Sequence, residues 1–107
     1  MAKFNSSLTS NIGIIETTLY TCPANNKAIL VGCNAANITG ATLPISIIMH
    51  RSNTSSYIVK NKRVDAATNE ELQKGNKLVL LSGDTLSAIS GDDNGFDVII
   101  SVLEGIS

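Results

Sequence analysis

The chain has no tryptophan, two phenylalanines, two tyrosines, one histidine, two cysteines and two prolines in 107 residues. Each scarcity excludes something. Sugar binding by stacking wants exposed aromatic platforms, and only Phe4, Tyr20, Tyr57 and Phe96 exist to supply both platform and core. A Cys/His zinc site at the usual spacing cannot be assembled from His50, Cys22 and Cys33. The two cysteines make no disulfide framework, and in a reducing compartment they are expected as buried small hydrophobes. No apolar run approaches the ~20 residues that a membrane span needs. The opening MAKFNSSLTSNIG has no apolar h-region and no small-residue cleavage site, so synthesis in a cytoplasm without signal-dependent secretion is expected. Charge of one sign is also missing. A net charge of −1 gives no long-range attraction for nucleic acid or for an anionic membrane.

What is present is a 43% hydrophobic sequence, enough for one domain with a modest core. Short apolar stretches are separated by turn chemistry. Ile14–Thr21 runs into the cluster Cys22-Pro23-Ala24-Asn25-Asn26. Lys27–Ile38 sets Ile29, Val31 and Cys33 against Ala28, Leu30 and Gly32. Neither of its faces is polar, which predicts a second sheet on one side and small side chains or a neighbour on the other. In LPISIIMHR, Leu43, Ile45, Ile47 and Met49 alternate with Pro44, Ser46, Ile48 and His50. Phe96–Glu104 sets Val98, Ile100 and Val102 against Ile99, Ser101 and Leu103. Only VDAATNEELQKGNK hints at a helix, through a Thr68/Glu71 capping box and Gly75 as a C′ residue; it is short enough to be a helical turn or a short edge strand. The spacing predicts an all-β fold, a single antiparallel sandwich of jelly-roll or Ig-like type with about seven to eight short strands. Residues 1–12, polar apart from Phe4 and Leu8, are expected as a flexible arm, with residues 13–107 as the sandwich.

The acidic stretch SGDDNGFDV gathers Asp92, Asp93 and Asp97 within six residues. A calcium loop of the EF-hand kind would need oxygens at alternate positions, Gly at the sixth and Glu at the twelfth. Counted from Asp92, Phe96 falls where an oxygen is needed, Gly95 comes at the fourth position, and the twelfth is Leu103. The spacing fails, so no metal or other cofactor is expected. Asn94-Gly95 between two alternating segments instead predicts a hairpin turn, and Asp84, after Ser82-Gly83, a turn entering a strand. No catalytic residue is proposed. His50, the only conventional base, sits beside Arg51 at a strand end, where a surface or interface histidine is expected. There is no nucleophile elbow and no phosphate-binding glycine pattern. Lys60-Asn61-Lys62-Arg63 lacks interleaved aromatics and reads as a charged edge that blocks unwanted pairing.

A resemblance carries the reading further. Thr17–Thr21 (TTLYT), Lys27–Asn37, the Gly-Asp-Thr-Leu step within Leu78–Ile89 and the closing alternation of Asp97–Ile106 resemble the small β-sandwich virion proteins of tailed bacteriophages. The resemblance implies a structural, non-enzymatic part made in the bacterial cytoplasm and carried in the virion. It implies a capsid decoration (cement) protein on the major capsid protein lattice, or else a tail, collar or baseplate component; a host-glycan-binding module is the alternative of a different class. Partners would be other virion proteins, in a homo-oligomer or many-copy lattice. The candidate contacts are Lys3, Phe4 and Leu8 on the arm and Tyr57, Lys60, Lys62 and Arg63 on the charged edge.

Overall fold

The computed structural model describes residues 3–73 and 77–106. Among the described residues nine strands run in chain order: β1 (Lys3–Ile12), β2 (Thr17–Thr21), β3 (Lys27–Asn37), β4 (Leu43–Arg51), β5 (Thr54–Val64), β6 (Asn69–Glu71), β7 (Leu78–Leu80), β8 (Thr85–Ser90) and β9 (Phe96–Ile106). Every pairing is antiparallel. One sheet has the order β1-β9-β3-β6, with β7 also on β3, and the other the order β2-β8-β4-β5. With β6 and β7 taken as two halves of one strand on β3, the order is that of the jelly roll, so the jelly-roll alternative holds over the Ig-like one.

The core forms between the sheets from the inward phase of each strand. On β9, Val98, Ile100 and Val102 are buried while Ile99 is 41% exposed, as the alternation predicts. On β3 the alternation changes phase. Ala28 and Leu30 face the core, and so do Cys33 and Ala35, because an irregularity between Leu30 and Gly32 inserts one residue. A one-residue insertion exchanges the faces, and this puts Cys33 with the buried set rather than with Ile29 and Val31. Both thiols are free and buried. Burial, and then the neighbouring Glu71, pushes the Cys33 thiol up to about 12.

Two expectations are corrected, and one left open is decided. The segment expected as a flexible arm is strand β1, paired with β9 from Lys3↔Glu104 to Ile12↔Phe96. Its side chains are mostly exposed, which is why its composition reads as an arm. An edge strand is held by its backbone, and here also by Ser7 Oγ donating to the Leu19 carbonyl (2.7 Å), the Asn11 N–H donating to Asp97 (2.9 Å) and buried Ile12. Of the two readings of VDAATNEELQKGNK, the short edge strand holds: it is β6, with Thr68 bonded into the preceding turn at Asp65; Gly75 lies outside the described residues. Glu71 of β6 uses its carboxylate to accept the Cys33 and Gln73 N–H groups beside the β3 irregularity.

The second correction concerns Asn94-Gly95. β8 and β9 lie in different sheets, so the turn is an arch between layers and not a hairpin. Alternation on both sides shows that each strand buries one face, not that the two strands pair. Asn94 does have positive φ, at 51°. Gly95 is required by close approach: its N–H donates to the Ile12 carbonyl (2.8 Å) and its carbonyl accepts from Ile38 (3.0 Å). A Cβ there would sit 2.1 Å from Ser90 Oγ and 3.1 Å from the Asp92 carbonyl oxygen. Gly95→Ala should therefore lower stability by about 1–3 kcal/mol. A chemical denaturation curve indistinguishable from wild type would show that the arch can yield at no cost.

Candidate functional site

The densest group of chemistry-bearing side chains is Glu16, His50 and Ser87. Glu16 lies in the β1–β2 link, His50 near the end of β4 and Ser87 on β8. Ser87 Oγ donates a short hydrogen bond to Glu16, and His50 Nε2 meets the same carboxylate oxygen. The bond from Ser87, and next that from His50, hold the Glu16 carboxyl below its usual range. The order of contacts decides the chemistry. A hydrolytic triad needs the imidazole between hydroxyl and acid, whereas here the acid stands between the other two. The arrangement fastens the β1–β2 link onto the four-stranded sheet. A cleft of about 180 Å³ lies beside it, lined in part by Glu16, His50, Ser55 and Tyr57.

Asp84 is the second site that the sequence undersells. It stands, as expected, in a turn entering a strand, β8, yet its side chain is only 1% exposed. The guanidinium of Arg51, from the end of β4, clasps it through Nε (2.9 and 3.1 Å) and Nη2 (2.6 Å), and the Leu81 N–H adds a fourth bond at 2.8 Å. The bonds from Arg51 hold its carboxyl below the ordinary aspartate range against the opposing cost of burial. Glu104 of β9 is also buried, with Tyr20 Oη and Asn5 Nδ2 as donors. Burial and this acid raise the Tyr20 phenol well above its ordinary value. Among the described residues, no three His, Cys, Asp or Glu side chains are grouped so that they could hold a metal ion. Two aspartates of the acidic stretch accept hydrogen bonds, Asp92 from the Asp93 N–H and Asp97 from the N–H of Asn11 on β1.

The predicted contact residues fall on two separate edges. Tyr57, Lys60, Lys62 and Arg63 are on β5, the outer strand of the four-stranded sheet. Lys60 Nζ lies 5.0 Å from the centre of the Tyr57 ring, a cation–π contact that leaves Tyr57 53% exposed. β5 also has two register shifts against β4, so this edge is both charged and irregular. Lys3, Phe4 and Leu8 are on β1, the outer strand of the other sheet, with Phe4 78% and Leu8 74% exposed. β1 packs over β2, and β2 is at the opposite end of its sheet from β5, so the two sets are not brought together.

Sequence reasoning missed what lies beside Phe4. Phe4 is opposite Leu103, Leu103 opposite Ile29, and Ile29 opposite Val79. This apolar row crosses four strands on the outer surface of the five-stranded sheet, with Leu8, Ile99 and Val31 exposed nearby. The signal was in β3, neither of whose faces is polar, and in Ile99 and Leu103, which share the outward phase of β9 with Asp97 and Ser101. A strand covered on one side only would be expected to carry polar side chains on the other.

The fold and these surfaces define a class, the jelly-roll β-sandwich. Comparison with known proteins places the chain no further than that. No protein-family model and no curated protein matches the sequence. Among solved structures, a chain of the infectious bursal disease virus T13 particle is similar with a TM-score of 0.59 at 9% identity, over 96% of this chain and 30% of that one. The chain thus spans under a third of the viral protein's length. A Bacillus endospore appendage protein, from a family of disulfide-linked pili, has a TM-score of 0.59 at 10% identity, over 99% of this chain and 89% of that one. The core of a Drosophila NLP, described for its pentamer formation and histone binding, has a TM-score of 0.52 at 7% identity, over 96% and 98%. At such identities the likeness is one of fold.

Proposed function

We propose that this chain is a non-enzymatic structural subunit of a bacteriophage particle, and within it a capsid decoration protein seated on the major capsid protein lattice. The observation that carries the proposal is the apolar outer surface of the five-stranded sheet, the row Phe4–Leu103–Ile29–Val79 with Leu8 and Ile99. A free monomer gains nothing from exposing such a surface, whereas a subunit covers it on assembly. The similar folds point the same way, since they occur in a virus particle, a pilus and a pentamer. Repetition on a lattice also lowers the affinity required of each contact, because many weak contacts act together.

Mass spectrometry of purified particles, together with a cryo-EM map, tests this. The chain should be present in a copy number comparable to that of the major capsid protein, as two-layered density with the five-stranded sheet against the shell. A few copies confined to the tail would move it to a tail, collar or baseplate role, and its absence from purified particles would end the virion reading. One observation favours a second reading: exposed Tyr57 borders the cleft with Glu16 and His50, a geometry open to a sugar ring. Glycan-array hits that Tyr57→Ala abolishes would support it, and a blank array would remove it.

A further inference from the structure

We infer that the free edge of β1 pairs antiparallel with β1 of a second copy, about a twofold axis through Ser6. The inference deepens the reading of the chain as an assembling subunit and rests on it, and it commits to one partner, this same chain.

Free edges of sheets are hazards that proteins ordinarily blunt with charge, irregularity or shortness. Three of the edges here are blunted. β5 carries Lys60, Lys62 and Arg63 and two register shifts. β6 is three residues long, and β2 has five residues with a shift between Thr18 and Tyr20. β1 differs from all of them. From Lys3 to Thr9 its register with β9 is unbroken, so the strand has no bulge there, and Lys3 is the only charge in the segment. The irregularity at Ser10–Asn11 then ends the regular stretch.

The sequence of this edge is complementary to itself. Antiparallel pairing about Ser6 sets Phe4 opposite Leu8 of the second copy, Leu8 opposite its Phe4, and Lys3 opposite its Thr9. The register makes two aromatic–aliphatic cross-strand pairs and brings no like charges together. Phe4 and Leu8, respectively 78% and 74% exposed, lie on the same face as Leu103 and Ile99, their partners on β9. Pairing would therefore cover the two most exposed apolar side chains of β1 laterally and join two five-stranded sheets into one. It would also double the apolar outer surface without burying it, leaving that surface for the lattice. A register shifted by one residue would place Phe4 on the opposite face from Leu8 of the second copy, so the side chains select the register as well as the partner.

The full chain should sediment as a concentration-dependent dimer, and two double variants separate this pairing from any other. Phe4→Lys with Leu8→Lys opposes like charges at both cross-strand positions and should weaken dimerisation by roughly tenfold or more. Phe4→Glu with Leu8→Lys opposes unlike charges at the same positions and should retain the dimer, with salt weakening it. Both sites are exposed, so far-UV circular dichroism should show both variants folded. A wild-type chain that stays monomeric up to its solubility limit overturns the inference, as does a dimer that responds equally to the two variants. In either case the particle measurements above still decide the structural-subunit reading, so the two failures are distinguishable.

Discussion

Phe96→Ala should destabilise the protein by about 3–5 kcal/mol, the range for removing a buried aromatic ring. Phe96 is wholly buried. It opens β9 at the point where the chain has just crossed between the sheets, and it is paired with both Ile12 of β1 and Asn37 of β3. The surrounding backbone is fixed by Gly95, which bonds to Ile12 on one side and Ile38 on the other, so the walls cannot collapse to fill the space. A loss of this size is a large share of the ~5–15 kcal/mol that stabilises a typical domain. Urea denaturation should show a much lower midpoint with an unchanged m-value. Phe96→Leu, which keeps much of the volume, should recover most of the loss. A cost for the alanine variant under about 1 kcal/mol would mean that this junction is not part of the core, and the account of the arch would go with it.

Asp84→Ala should cost about 3 kcal/mol, the low end of the range for breaking a buried pair, because the orphaned Arg51 is half-exposed and can turn to water. The Leu81 N–H also loses its acceptor. The charge on Asp84 gives this prediction a pH signature. Its carboxyl is held below the ordinary aspartate value of about 3.9, so below that value the unfolded chain takes up the proton before the folded one does. The stabilisation is therefore complete above pH ~4 and is lost as the pH falls through the lower, folded value. Glu16, also lowered, adds to the same acid limb. Thermal melts across the acid range should show a steep fall below pH ~4 in wild type and a shallower one in Asp84→Asn. Equal slopes would mean that the Arg51 clasp contributes no net stability at neutral pH.

The contrast between Asp84 and Asp92 shows how far a sequence carries. Both follow Ser-Gly and both read as turn residues. Asp92 is exposed and bonds to its neighbour, while Asp84 is buried and clasped by a residue 33 positions away. Nothing near Asp84 distinguishes it, because the distinguishing partner arrives through the pairing of β4 with β8. β1 was lost for a related reason. Strands announce themselves through one buried face, and a strand whose side chains are nearly all exposed gives no such signal while its backbone pairs fully. The predicted contacts Phe4 and Leu8 were legible as apolar residues in a polar setting. Their continuation through Leu103, Ile29 and Val79 was not, since those residues lie from 25 to 99 positions along the chain from Phe4.

By itself the sequence determined an all-β chain, with the inward phases of β4 and β9, thiols kept apart from any disulfide framework, and an acidic stretch whose spacing suits a turn and not a calcium loop. These are local properties, set by side-chain period, by the chemistry of Asn-Gly and by ligand spacing. The tertiary structure alone decided that Asn94-Gly95 arches between sheets, that residues 3–12 form an edge strand, that Asp84 is an ion-pair core and that one sheet shows an apolar outer surface. Each of those depends on which strand lies beside which, and pairing is a long-range choice settled by the packing of the whole sandwich.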